Sequence, residues 1–307
     1  MPDGSRRPRM LTVLREYMEL TKPRVSALIV FTAVVGMFLS TPAGLPLATF
    51  VLATLGIALA SGSAAAINQV LDQRADAVMA RTRGRPLPTG SLNTRQAMIF
   101  AVILGLLSMW ILVQWVNVLT AVLTFFCLIG YSVIYTVYLK HSTPQNIVIG
   151  GAAGAAPPIL GWTAITGEVS SDALLLFLII FLWTPPHFWA LALYREKEYA
   201  KVGIPMLPVI YGREYTQLQI LLYTILLTAV TVMPFATHMS GWLYLSGALF
   251  LDAGFLYFAW RLYRNYSDEL ARKTFRYSIQ YLSLLFALLL VDHYRVYIRG
   301  ALQSALY

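Results

Sequence analysis

The sequence predicts an all-α, polytopic membrane protein of nine transmembrane helices with a cytoplasmic N-terminus, and three observations carry that prediction. Of 307 residues, 58% are hydrophobic and 12% charged, a composition that overrides the two soluble domains the length alone would suggest. Residues 25–71, 96–139, 141–167, 173–194 and 215–251 contain no Lys, Arg, Asp or Glu, and about 20 apolar residues cross a bilayer. Lys and Arg gather in alternate loops, the pattern that fixes orientation.

Residues 11–24, LTVLREYMELTKPR, mix apolar and charged positions at helical spacing and belong to a basic amphipathic segment, residues 1–24, lying on the inner surface. The leading MPDGSRRPRM is basic, but no short apolar stretch with a small-residue cleavage site follows, so the first span is expected to stay in the mature protein. A single domain of nine helices then covers residues 25–294. Its three longest apolar runs must each hold two spans, broken at 41–46, 114–117 and 237–241, and a ninth span covers about 274–294. Residues 295–307 form a short tail on the outer side. With this arrangement every Lys and Arg except Arg295 and Arg299 is inside, whereas the outer loop after span five carries Glu168 and Asp172. The net charge of +9 is therefore an orientation signal and not a nucleic-acid footprint. The single cysteine, Cys127, lies mid-span, which excludes a disulfide framework and a thiolate metal site.

The chemistry concentrates at the inner end of span two, in NQVLDQRADAVMARTRGRPLPTG. Asn68, Asp72 and Asp76 recur every four residues, so a continuing helix projects an amide and two acids from one face. Two carboxylates are what Mg²⁺ takes from a protein when substrate phosphates supply other ligands. Arg81, Arg83 and Arg85 follow at once, suited to forked hydrogen bonds to the same phosphates; the alternative is a solvated, orienting loop. Thr21, Lys22 and Arg24 could join a phosphate site or merely anchor the chain. Tyr135, Lys140 and Asn146 lie on the same side and could close the pocket. The small residues before Asn68 and throughout NIVIGGAAGAAPPILGW allow close helix approach, with a kink expected at Pro157 and Pro158.

Span six ends in WTPPHFWALALYREKEYAKVGIPMLPV. His187 is an ionisable group inside a span, where such groups face a cavity or partner, and His187, Tyr194 and Glu198 would share one face of a continuous helix. Asp76 precedes Leu87-Pro88 by the same intervals as Glu196 precedes Leu207-Pro208, an echo implying that spans two-three and six-seven are related units. Asp252, within span eight, must be protonated, paired or facing a cavity.

These segments resemble the intramembrane prenyltransferases of the UbiA superfamily and, more narrowly, its haem O synthase (protohaem IX farnesyltransferase) family. LTKPRV, NQVLDQRADAVMARTRGRPLP, NIVIGGAAGAAPPILGW, TPPHFWALALY and GIPMLPV carry the resemblance, in order, from about Leu20 to the end of span nine. It implies a nine-helix bundle around a central cavity in the cell inner membrane, joining the farnesyl group of farnesyl diphosphate to the 2-vinyl group of haem B with addition of water. It implies Mg²⁺ held by Asp72, Asp76 and Asn68, and diphosphate bound by Arg81, Arg85, Lys140 and Asn146, with Lys22 and Arg24 nearby. His187, with Tyr194 and Glu198, falls to the haem, as an iron ligand or as a hydrogen-bonding group that positions it. The wider superfamily has a second Asp-rich motif where this chain has only Glu196 and Glu198, which puts a second magnesium site in doubt. A downstream haem-modifying enzyme or a terminal oxidase assembly would take the product. Two other readings stay open: prenylation of a quinone precursor, and secondary transport coupled through Asp72, Asp76 and Asp252.

Overall fold

The computed structural model describes residues 10–41 and 44–305, with side chains to residue 295; the basic residues 1–9 lie outside it. Its helices, in chain order, are α1 (Met10–Leu20), α2 (Pro23–Leu39), α3 (Leu47–Leu71), α4 (Gln73–Val78), α5 (Pro86–Thr89), α6 (Thr94–Trp115), α7 (Val118–Ile129), a π-helix (Gly130–Leu139), α8 (Lys140–Ser142), α9 (Asn146–Ala155), α10 (Pro157–Thr166), α11 (Ser171–Tyr194), α12 (Glu196–Lys201), α13 (Leu207–Thr231), α14 (Met233–Ala236), α15 (Trp242–Arg264) and α16 (Asp268–Ala305). Among the described residues, eight segments are long and apolar enough to cross a membrane. The expected first span makes a ninth only when α1 and α2, bent by 56°, are taken together. The last span starts earlier than expected, and its helix runs on to Ala305, so most of the predicted tail is helical.

Local sequence sets the boundaries. Pro occupies the first or second position of α2, α5, α10 and α13, where its missing N–H costs nothing. Asn93 and Gln96 form a capping box at α6, and the Asn117 and Ser170 side chains cap α7 and α11. The break expected at Pro157 and Pro158 falls at Ala156, dividing α9 from α10.

Close approaches then fix the bundle. A Cβ on Gly161 would lie 1.9 Å from the Ala33 carbonyl oxygen, and one on Gly36 2.3 Å from that of Pro158, so α2 and α10 meet backbone to backbone. Leu106, Phe126 and Phe250, each more than 60% exposed, point outward as a lipid-facing surface requires. The interior comprises a large core between α11, α15 and α16, a second at the C-terminal end of α11 and the N-terminal end of α13, and two smaller ones around α3. The second core takes in Met79 with Tyr199, Ile204 and Met206, so the loops after α3 and α11 meet.

The internal echo has a structural counterpart with a shifted register. A long span, a single break residue (Asp72 or Arg195) and a six-residue helix occur in both units. Asp76 is the fourth residue of its short helix, however, and Glu196 the first. The positions matching Asp72 and Asp76 are therefore Arg195 and Tyr199, and the second unit repeats the shape of the first without its acids.

Candidate active site

The acidic motif survives a break in its helix. Asp72 leaves helical geometry (φ −86°, ψ 1°), yet its N–H donates to the Asn68 carbonyl at 2.9 Å and the Asp76 N–H donates to the Asp72 carbonyl at 2.8 Å. The four-residue repeat is thus kept, and Asn68, Asp72 and Asp76 remain on one face, 4–6% exposed.

Bases from three separate segments close over them. Lys140 donates to Asp72 Oδ2 at 2.5 Å, Arg85 donates to Asp76 Oδ2, and Lys22 donates to Asn68 Oδ1 at 2.5 Å. The Asn68 amide donates to Asp72 Oδ2 (2.9 Å) and Thr136 Oγ1 (3.1 Å). Lys22 adopts a left-handed conformation (φ 49°, ψ 60°), costly for a non-glycine residue, at the bend that turns it inward. Burial first, and then the Arg85 guanidinium, push its ammonium down to about 7 against the pull of Asp72 and Asp76. Arg24, two residues on, is exposed and forms no ion pair among the described residues.

Lys140 and Thr136 arrive by way of the π-helix, which nothing in the sequence announced. The Lys140 N–H donates to the Tyr135 carbonyl, five residues back. At about 4.4 residues per turn, against 3.6 in an α-helix, Tyr131, Thr136 and Lys140 share one face; α-helical winding would turn Lys140 away from Tyr131. Tyr131 and Tyr135 stack at 5.5 Å, and Gly150 leaves the notch that admits Tyr135, since a Cβ there would lie 2.2 Å from its ring. Asn146 is fully buried; one N–H of its NH₂ donates to the Thr143 carbonyl at 2.8 Å, its second N–H makes no hydrogen bond among the described residues, and its Oδ1 has no partner. Arg81 is exposed at this face. It stands near Tyr199, whose phenol is pushed up by burial and drawn down by Arg81 and Arg195.

This donor set fits a hard divalent cation. Lys140, Asn68 and Arg85 all engage Oδ2 atoms, and no hydrogen bond reaches Oδ1 of Asp72 or Asp76 among the described residues. Two oxygens on adjacent turns stand available, ringed by cations able to exchange a carboxylate for a phosphate.

His187 occupies a second site, between α11 and α16. Its ring is stacked between Trp183 (4.2 Å) and Phe275 (4.7 Å), and its Nδ1 lies 2.7 Å from Ser278 Oγ. The Ser278 hydroxyl donates its one proton to the Phe275 carbonyl at 2.7 Å. Ser278 must then accept from Nδ1–H, which leaves the lone pair on Nε2, in the ring plane and clear of both stacked rings. Trp183, four residues before His187, was the signal available in the sequence; Phe275 and Ser278 come from a distant segment.

Two expected partners of His187 divide. Tyr194 stays on its helix, with its ring 6.4 Å from Phe275. Glu198 does not, because α11 ends at Arg195; it turns away with α12 and accepts from Arg195 at 2.7 Å. Glu196 likewise accepts from Arg213 at 2.5 Å.

Asp252 is 2% exposed and saturated: Tyr281 donates to Oδ1 at 2.6 Å and Thr231 to Oδ2 at 2.8 Å. It ties α13, α15 and α16 together, remote from the acidic motif in the sequence and in its partners, which removes it from an ion-coupling path.

Comparison with known proteins identifies the family and the fold. The model of the UbiA prenyltransferase family matches residues 29–288. A protoheme IX farnesyltransferase of Nitrosospira multiformis is 62% identical over 281 residues, 92% of this chain and 94% of its own. That of Nitrosomonas eutropha is 60% identical with the same coverage. Among solved structures, one described for digeranylgeranylglyceryl phosphate synthase superposes with a TM-score of 0.78 at 18% identity, covering 92% of this chain and 99% of the other. A UbiA homologue from Archaeoglobus fulgidus bound to GPP and Mg²⁺ superposes with a TM-score of 0.61 at 17% identity, over 89% and 99%; at such identities the likeness speaks for the fold.

Proposed function

This chain belongs to the UbiA prenyltransferase family, and from that membership and its site we propose how it works on its substrates. It is a membrane-embedded prenyltransferase that farnesylates protohaem IX, haem B, to give haem O. The donor is farnesyl diphosphate, and the diphosphate site is the Asn68–Asp72–Asp76 cluster. The observation that carries this assignment is the pair of free Oδ1 atoms ringed by Lys22, Arg85 and Lys140.

Asp72 and Asp76 would hold the divalent cation, Mg²⁺, through Oδ1, with Asn68 bonded to the metal or its water. When bound, the metal neutralises charge on the diphosphate as it departs. Lys22, Arg85 and Lys140 release their present acceptors and bind phosphate oxygens, stabilising the charge that grows as the allylic C–O bond breaks with its electron pair. The vinyl π electrons of the haem then form the new C–C bond to the farnesyl carbon. Water captures the resulting cation beside the macrocycle and loses a proton, leaving a hydroxyethylfarnesyl group. No protein nucleophile is required. Tyr131 and Tyr135 present ring faces beside the cluster that suit an allylic cation.

His187 is the acceptor-side residue. Its Nδ1–H is committed to Ser278 and its Nε2 lone pair is free, the tautomer that an axial ligand of haem iron needs. Residues 25–294 act as one catalytic domain in the inner membrane, with Lys22 contributed by the segment just before it and the Asp72–Arg85 loop cytoplasmic. A haem-modifying enzyme or an oxidase assembly receives the product.

The test is a product mass. Purified protein with farnesyl diphosphate, haem B and Mg²⁺ should yield haem heavier by one farnesyl group plus water, and chelation should stop it. Unmodified haem, with diphosphate released only when a quinone precursor is supplied, would keep the diphosphate site and overturn the acceptor.

A further inference from the structure

The inner end of α11 carries a feature the reaction above does not use. Trp183, His187, Phe275 and Tyr194 form an unbroken aromatic strip from mid-span to the helix end, each ring within 6.4 Å of the next. The last ring is bracketed by two guanidiniums, Arg272 at 5.3 Å and Arg195 at 5.5 Å from the Tyr194 centroid. A cavity of about 330 Å³ opens beside it, lined by Tyr194, Arg195, Lys197 and the acids Glu196, Glu198 and Asp268.

Each of those acids already accepts a hydrogen bond, and Glu198 alone keeps a buried oxygen, Oε2, without a partner. Glu196 accepts from Arg213, Glu198 from Arg195, and Asp268 from the Tyr266 hydroxyl at 2.5 Å. Arg272 has no carboxylate within ion-pair distance among the described residues, and Arg195 keeps a buried Nε without a partner. Unspent cationic capacity thus stands at the end of an aromatic strip.

A flat, apolar macrocycle with two carboxylates on one edge has the same anatomy. Tyr194 lies seven residues beyond His187, about 10 Å along the helix, the distance scale from the centre of a porphyrin to its acidic edge. On the reading that haem B is the acceptor, we propose that Arg272 and Arg195, on either side of Tyr194, bind the propionate carboxylates of the haem. Arg272 is the principal anchor, and Arg195 contributes its free Nε while remaining paired with Glu198. Vinyl and propionate groups occupy opposite edges of protohaem, so anchoring the acidic edge at the end of α11 directs the vinyl edge into the bundle. The subsite thereby selects which edge of the macrocycle meets the farnesyl carbon.

The experiment compares haem B with its dimethyl ester, which keeps the iron and both vinyl groups and loses only the two charges. Binding is followed by the Soret band and turnover by product mass, in the full chain and its Arg272→Gln, Arg272→Lys and Arg195→Gln variants. Wild-type protein should bind the free acid roughly ten- to a hundredfold more tightly than the ester, the range for charge-assisted hydrogen bonds. Arg272→Gln should bring that ratio below about threefold while leaving ester binding and the KM for farnesyl diphosphate unchanged, and Arg272→Lys should restore part of it. Equal weakening of acid and ester by Arg272→Gln, or no preference in wild-type protein that farnesylates haem B, would overturn the subsite alone. Wild-type protein that neither binds nor farnesylates haem B would overturn the acceptor reading and the subsite with it.

Discussion

At the scale of single residues, identical chemical groups have different roles because their surroundings differ. Asp72 and Asp252 are both buried carboxylates. Asp72 has one oxygen held by Lys140 and Asn68 and the other open, whereas each oxygen of Asp252 accepts a hydroxyl from a neighbouring helix. Asp72→Asn should therefore lower turnover at least a hundredfold with melting temperature little changed, as removal of a metal-binding charge from a preformed site predicts; steady-state assays with thermal unfolding check both. Asp252→Ala should do the reverse. Leaving the Tyr281 hydroxyl unpaired costs about 1–3 kcal/mol, Thr231 keeping the Thr228 carbonyl as acceptor, and this is seen as a lowered unfolding midpoint, while Mg²⁺-dependent turnover per folded molecule stays within a few fold. The sequence placed Asp252 in a span and could not see its donors, which lie 21 residues before and 29 after it.

At the scale of elements, the ten-residue π-helix decides whether Lys140 reaches Asp72. Its register depends on Tyr135 settling against Gly150, where any side chain would strike the ring. Gly150→Leu should displace Tyr135 and let the segment rewind toward α geometry, turning Lys140 away. The expected outcome is a KM for farnesyl diphosphate raised about tenfold, the scale of one lost charge-assisted contact, with haem binding through His187 unchanged. Hydrophobic periodicity finds a span here but cannot distinguish five-residue from four-residue hydrogen bonding, because both bury the same apolar composition. The end of α11 at Arg195 also escaped sequence reasoning: YREKEY continues a plausible helix, yet Arg195 leaves helical geometry (φ −116°, ψ 14°) and α12 starts afresh at Glu196.

At the scale of the whole molecule, the two site-bearing loops meet because two similar units pack with their inner ends together. The contact between α2 and α10 holds the first unit in place and allows no side chain at Gly161. Gly161→Leu should lower the thermal midpoint by the equivalent of about 1–3 kcal/mol, the cost of overpacking, and weaken farnesyl diphosphate binding as well, since Lys22 enters the site on α2. Orientation is checked with single cysteines in a Cys127→Ala background. A cysteine at Ser91 should react with an impermeant maleimide only from the cytoplasmic side, and one at Glu168 only from the outside.

The sequence by itself determined the membrane class, the breaks between neighbouring spans, and the acidic motif, because each rests on local composition or on a repeat along one helix; the charged ends of the last three spans, at Leu207, Arg264 and Asp268, lay beyond the apolar runs. It also brought His187 forward, since an ionisable residue inside an apolar span is conspicuous wherever it points. The tertiary structure alone decided the partners. Lys22, Arg85 and Lys140 converge on Asn68, Asp76 and Asp72 from three segments, Ser278 fixes the proton of His187 from 91 residues away, and Asp252 is retired to a structural clamp. It also separated Glu198 from His187 and left Arg24 exposed. The physical reason is common to all of them: a charge or a hydrogen bond acts over a few ångströms of space, and distance along the chain does not measure that.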